Sequence, residues 1–190
     1  MAQTAREWGL EALAALEAEE RRGVDSHLLR LPMPAFRDLH VYLKDESAQP
    51  TGSLKHRLAR SLILGGLCNG RIGMDTVLVD ASSGSTAVSE AYFANLLGLK
   101  FVAVVPRSTA RSKIDAIRFH GGECHFVDNP RDIYSAAARI AEETNGFYLD
   151  KFTFAERAID WRGNNIAESI FRQMALEPHS EPSWVVIDRK

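Results

Sequence analysis

From residue 76 onward, short and wholly apolar runs alternate with longer stretches whose apolar residues recur every three or four positions. Thr76-Val77-Leu78-Val79, residues 101–105, Cys124-His125-Phe126-Val127 and Phe147-Tyr148-Leu149 read as buried strands. Residues 88–97, 109–119 and 132–144 read as helices, closed by Gly98, Gly121-Gly122 and Asn145-Gly146. Strands that alternate with helices predict a parallel sheet with right-handed crossovers and helices on both faces, an α/β fold of three layers.

Upstream, residues 5–22 place Trp8, Ala12, Leu13 and Leu16 at helical spacing among mixed charges and stop at Gly23, which predicts an amphipathic helix. Residues 28–34 are broken by prolines and read as loop, and His40-Val41-Tyr42-Leu43 as a short strand. Ser53 is placed to cap a helix that carries Leu54, Leu58, Leu62, Ile63 and Leu67 on one side and ends at Asn69-Gly70. After Asp150 come a polar segment, a helix over 163–174, a proline-containing loop and a last strand, Trp184-Val185-Val186-Ile187. That strand leads only to Asp188-Arg189-Lys190, although the carboxyl end of such a strand is where an open α/β sheet builds its ligand loops.

Composition narrows the classes. With 190 residues, 45% hydrophobic and 25% charged, the chain can bury a sizeable core, and disorder, collagen and coiled coil are excluded. Its 23 basic against 25 acidic residues give no electrostatic reason to expect nucleic acid or an anionic membrane as partner, and leave a compact acidic metabolite. No run approaches the roughly 20 apolar residues of a membrane span, and the N-terminus lacks a signal-peptide layout. Cys68 and Cys124 form neither a CxxC pair nor a disulfide framework, which fits a reducing, cytoplasmic setting. His27, His40, His56, His120, His125 and His179 are scattered without metal-ligand spacing, so no metal site is expected.

Two segments could carry chemistry. In PTGSLKHR, residues 50–57, a turn runs into a helix whose first turn holds Lys55. The N-terminal end of a helix carries about half a positive charge and disfavours an ammonium by some tenths of a kcal/mol. A neutral amine is what attacks an aldehyde to form a Schiff base, so Lys55 reads either as a nucleophile or as an ordinary exposed lysine. In ASSGSTA, residues 81–87, a small-residue loop joins a strand to a helix. Its glycine, its N–H groups and the hydroxyls of Ser82, Ser83, Ser85 and Thr86 make either an anion nest or a plain βα turn. Both glycine fingerprints of nucleotide binding are missing, which counts against a nucleotide-binding reading.

Taken in order, PTGSLKHR, VDASSGSTAVSEAYFA, KFVAVVP and KIDAIRFHGGE resemble the cysteine synthase and cystathionine β-synthase family of fold type II pyridoxal-phosphate enzymes, over residues 31–187. The segment DKFTFAERAIDWRGNNIAESI is similar to the L-cysteine desulfhydrase branch. The resemblance implies a tryptophan synthase β-subunit-like fold and pyridoxal 5'-phosphate as cofactor. It implies β-elimination or β-replacement on cysteine or O-acetylserine-type amino acids, and a homodimer. It assigns Lys55 as the Schiff-base lysine that later moves the α-proton. Ser82, Ser83, Gly84 and Thr86 match the loop that grips the substrate carboxylate, Ser85 matches a cofactor contact, and Lys151 a further substrate contact. Residues 1–43 then belong to a larger domain, 44–150 form a smaller domain with lysine and substrate loop, and 151–190 begin the larger cofactor domain.

Three departures stand out. Ser85 replaces an asparagine that reaches the cofactor ring oxygen, and Lys151 replaces a glutamine, a point charge in place of an amide. The glycine-rich phosphate loop expected after residues 184–187 is absent from these 190 residues, so a truncated chain is expected. The alternative is a truncated, non-catalytic paralogue or fragment that acts as a binding partner or is an inactive product. Tyr92, Phe93 and Phe101 read as packing, Arg107, Arg111 and Lys113 as a solvated face, His56 as pointing away from its neighbour Lys55, and Cys124 as inert.

Overall fold

In a computed structural model of the chain, residues 3–23, 25–36, 38–158 and 165–187 are described. Helix α1 (Ala5–Arg22) opens with a capping box in which the Thr4 hydroxyl accepts from the Glu7 N–H and the Glu7 carboxylate accepts from the Thr4 N–H. A hairpin of β1 (His27–Leu31) and β2 (Val41–Asp45) follows, antiparallel with Leu29 opposite Leu43. The reading of residues 28–34 as loop is corrected here. Leu28-Leu29-Arg30-Leu31 has no alternation to mark a strand, and the β2 ladder makes it one; Leu29, Leu31 and Leu43 stay exposed.

Helix α2 (Lys55–Cys68) leads into the main unit: β3 (Leu78–Asp80), α3 (Ser85–Leu96), β4 (Phe101–Pro106), α4 (Arg111–Phe119), β5 (Glu123–Val127), α5 (Ile133–Glu143) and β6 (Phe147–Tyr148). All four of these strands are parallel, in the order β5-β4-β3-β6. The strand period of two divides the core. Leu78, Phe101, Ala103 and Val105 pack with Ala59, Ile63, Phe93 and Ile117 from α2, α3 and α4, and with Ala12 and Leu16 from α1. Val79 and Val104 point the other way, onto Ala136, Ala137 and Ala141 of α5. The expected three-layer arrangement is therefore present. Close approach fixes one glycine: a Cβ on Gly146 would lie 2.3 Å from the Val77 carbonyl oxygen, at the entry to β6.

The strands proceed from β3 to β5 on one side, and the chain then returns through α5 to β6 on the other side of β3. The order reverses between β3 and β6, and ligands of open α/β sheets bind outside the carboxyl ends of the strands at such a point.

Residues after β6 form α6 (Lys151–Ala158), where a polar segment was expected, and α7 (Ile166–Met174), whose N-terminus is capped by Asn165 Oδ1 accepting from the Glu168 N–H at 2.7 Å. The first residues of the expected helix, Gly163 and Asn164, lie outside the described residues. A polar hub ties α7 to the hairpin and α2. Asp25 accepts from Ser169 Oγ (2.5 Å), Arg172 (2.7 Å) and Arg57 (2.8 Å), and Lys44 donates to Ser169, Gln173 and the Ser26 carbonyl. Burial opposes the Asp25 charge, but hydrogen bonds from Ser169, Arg57 and Arg172 outweigh it and hold the carboxyl well below its usual range. The strand expected at residues 184–187 is not formed. Trp184, Val185, Val186 and Ile187 are exposed, and among the described residues no neighbouring strand accepts or donates the ladder bonds that define one.

Candidate functional site

The turn before Lys55 is built in steps. The Gly52 N–H donates to the Gln49 carbonyl at 2.7 Å, and Gly52 sits at φ +68°, a left-handed conformation that glycine adopts without a Cβ clash. Ser53 Oγ accepts the Lys55 N–H at 3.2 Å, a turn bond one residue ahead of the N-cap, which is Leu54 and not the expected Ser53. Thr51 Oγ1 pairs with Ser89 Oγ of α3 at 2.8 Å and with His56 Nδ1 at 3.2 Å, and His56 Nε2 reaches Glu19 of α1 at 3.1 Å. His56 therefore points away from Lys55 and anchors the turn to α1 and α3. Lys55 is half-buried as the first residue of α2.

Residues 82–86 leave the carboxyl end of β3 and enter α3. The N–H groups of Ser82, Ser83 and Gly84 have no acceptor among the described residues, and the first N–H groups of a helix have none by construction. Gly84, the N-cap, has φ −108° and ψ −159°, which other residues adopt, and a Cβ there would meet no atom within 4 Å. Neither backbone strain nor packing within the chain requires glycine, so what its missing side chain leaves open is access to the free N–H groups. Thr86 is buried, Ser82, Ser83 and Gly84 are partly exposed, and Ser85 is exposed. The loop is an anion cradle on a helix of 12 residues.

Lys151 arrives from the far side of the order reversal. Asp150, at the end of β6, takes φ +32° and caps α6 by accepting from the Thr153 N–H at 3.3 Å. The Lys151 ammonium donates to Asp80 Oδ2 at 3.0 Å and to the Ala81 carbonyl at 3.2 Å, at the base of the 82–86 loop. Three predicted features thus meet along α3: the loop at its start, Lys151 beneath the loop, and the Lys55 turn docked on Ser89. An ammonium has three N–H donors, and these two bonds use two of them.

Sequence reasoning overlooked two residues here. Asp80 and Glu90 are completely buried, and Glu90 lies one helical turn beyond Thr86, on the same side of α3. The signal was available: between Asp80 and Lys100, Glu90 is the one charged residue, on a helix with no polar stripe to solvate it.

A cavity of about 220 Å³ lies elsewhere, between α1, α2 and α7, walled by Pro50, His56, Arg57 and Arg172. Charged groups of its wall are bonded to one another, with Arg57 at 2.8 Å and Arg172 at 2.7 Å both on Asp25, and it does not include Lys55 or the 82–86 loop.

The fold is an α/β protein with a parallel sheet, a loop of acceptor-free N–H groups at the carboxyl end of β3, and a lysine-bearing turn docked through Thr51 on Ser89 of the helix that follows. Residues 24–187 match the family model described as pyridoxal-phosphate dependent enzyme, and the chain belongs to that family. It is 58% identical over 187 residues to the L-cysteine desulfhydrase of Mycobacterium tuberculosis, covering 96% of this chain and 51% of that protein. It is 32% identical to cysteine synthase B of Escherichia coli over 115 residues, covering 59% of this chain and 38% of that one. The crystal structure of O-ureido-L-serine synthase superposes with a TM-score of 0.72 at 25% identity, over 85% of this chain and 50% of that one. The chain thus spans about half the length of the desulfhydrase and of O-ureido-L-serine synthase.

The residues present fit the amino-acid side of pyridoxal phosphate: an amine at a helix start, and a loop of free N–H donors opened by Gly84. Among the described residues no group of three or more His, Cys, Asp or Glu is placed to hold a metal ion, and no helix is long and apolar enough to cross a membrane.

Proposed function

We propose that this chain supplies the Schiff-base lysine and the carboxylate-binding loop of a pyridoxal-phosphate enzyme that acts on cysteine or O-acetylserine-type amino acids by β-elimination or β-replacement. The observation that carries the reading is the cradle of unpaired N–H groups at residues 82–84, on the helix against which the Lys55 turn is docked. Bound pyridoxal phosphate supplies an electron sink for negative charge at the substrate Cα. Lys55 Nζ would be the amine that holds the cofactor aldehyde and the base placed to move the proton at the substrate Cα. The N–H groups of Ser82, Ser83 and Gly84 and the Thr86 hydroxyl hold the substrate carboxylate, and the third N–H of Lys151 adds a charge-assisted bond. Ser85 stands at the cofactor edge, where its shorter side chain offers a single hydroxyl donor.

Residues 44–150 form the smaller domain of the complete enzyme, with 1–43 and 151–190 belonging to the larger one. The working enzyme is a cytoplasmic homodimer, which sedimentation of the complete protein tests. The relatives named a cysteine desulfhydrase and a cysteine synthase favour sulfur amino acids as substrates.

The experiment is addition of pyridoxal phosphate to the chain, with borohydride trapping and peptide mapping. The expected result is the visible absorption that the cofactor acquires on linking to a lysine amine, with the trapped label on Lys55 and both signals lost in Lys55→Ala. Absorption that survives Lys55→Ala, or a label elsewhere, overturns the assignment. A chain that shows no such absorption acts as a non-catalytic binding protein instead.

A further inference from the structure

Beneath the 82–86 loop lie two carboxyl groups that the chemistry above does not use. Asp80 closes β3 and Glu90 projects from α3, each fully buried. Asp80 Oδ2 is taken by Lys151, whereas Asp80 Oδ1 and both Glu90 oxygens have no hydrogen-bond partner. Orphaned buried oxygens are costly, and ionised carboxylates only accept, so two of them cannot satisfy each other. One proton removes the conflict: a neutral Glu90 becomes a donor to Asp80, and Asp80 keeps its charge for Lys151. Burial first, and then the Asp80 carboxylate, push the Glu90 carboxyl well above its usual range; Lys151 pulls it down without reversing the shift. The other titrating group at the pair is Tyr148 of β6, its phenol pushed up by burial, then by Asp80, with Glu90 contributing.

Resting on the reading that residues 82–86 hold a substrate carboxylate, we propose that Glu90 is a positioning residue of that subsite: it shares a proton with Asp80, and Asp80 thereby holds Lys151 at the base of the loop. The local charge of Asp80 and Lys151 then sums to zero under the anion cradle. Loss of the Glu90 proton adds a negative charge there and disfavours a carboxylate ligand.

The test reads Lys151 directly in the full chain without cofactor, through the pH profile of its side-chain nitrogen resonance, assigned with Lys151→Gln. In the wild type this resonance shifts in a step where Glu90 loses its proton. Glu90→Gln abolishes the step and keeps the low-pH position, because an amide N–H replaces the acid proton toward Asp80. Glu90→Leu, which offers no donor, displaces the resonance at every pH. A step retained in Glu90→Gln, or a Glu90→Leu profile superimposable on the wild type, overturns the proposal, and the isosteric glutamine variant decides alone if the leucine variant fails to fold. With cofactor loaded, Glu90→Leu weakens binding of the probe L-alanine by about tenfold, the loss of one charge-assisted bond. Unchanged L-alanine affinity overturns the subsite role. Failure of the cofactor to link to Lys55 overturns the proposed function and leaves the resonance result standing, so the two failures are distinguishable.

Discussion

Replacing Asp25 by alanine removes the acceptor on which α7, the hairpin and α2 converge. Its carboxylate is 22% exposed and receives Arg57, at 11% exposure, and Arg172, at 61%. Removing one member of a buried pair costs about 3–5 kcal/mol. The exposure of Arg172, and the second carboxylate that Arg57 keeps in Glu46, reduce this to about 2–3 kcal/mol. For a chain of this size that loss lowers the melting temperature by about 4–12 °C. The pH dependence has a definite sign. Asp25 is depressed in the folded chain, so its contribution is complete above the ordinary carboxylate range and is lost as pH falls below it. Urea denaturation of wild type, Asp25→Ala and Asp25→Asn at neutral and acidic pH measures the effect, with hydrogen exchange of residues 166–174 as the local readout. The stability gap narrows on acidification, and amides of α7 lose protection before those of the central sheet. A gap under about 0.5 kcal/mol at neutral pH, the level of an ordinary surface change, refutes the reasoning, as does a gap that acid leaves unchanged.

Gly84→Ser puts a good N-cap residue where a Cβ meets only open space, so the unfolding free energy from urea denaturation stays within about 0.5 kcal/mol while L-alanine binding to the cofactor-loaded protein falls about tenfold. Gly146→Ala drives a methyl against the Val77 carbonyl, which accepts the Phe147 N–H at 2.8 Å, and is expected to cost about 1–3 kcal/mol in the same denaturation assay.

The βα alternation from residue 76 to 149 was legible because the central strands β3 and β4 are buried apolar runs and each following helix ends at a glycine or an Asn-Gly pair, although the outer strands β5 and β6 are only partly buried. Strand β1 was not, since its identity comes from its pairing with β2 and its side chains are mostly exposed. The opposite error was made at residues 184–187, where an apolar run with no partner strand stays unpaired. In the candidate site, local turn and helix-start chemistry singled out Lys55 and residues 82–86 but left each open to a plain structural reading, and the resemblance supplied their roles. Lys151 was found by resemblance, because nothing near it in sequence points to Asp80. Glu90 was missed because a helix inventory records apolar spacing and passes over a single acid whose burial depends on the whole sheet.

The contact between Lys151 and Asp80 spans 71 positions of the chain. At about 5–20 residues per second of synthesis, the cation arrives about 4–14 s after the acid it neutralises. Until then β3 lacks its neighbour β6, and the acid pair lies beneath an anion cradle without a counter-ion. The turn at Lys55 and the start of α3 can fold early from local signals, but the charge balance beneath the 82–86 loop waits for residue 151.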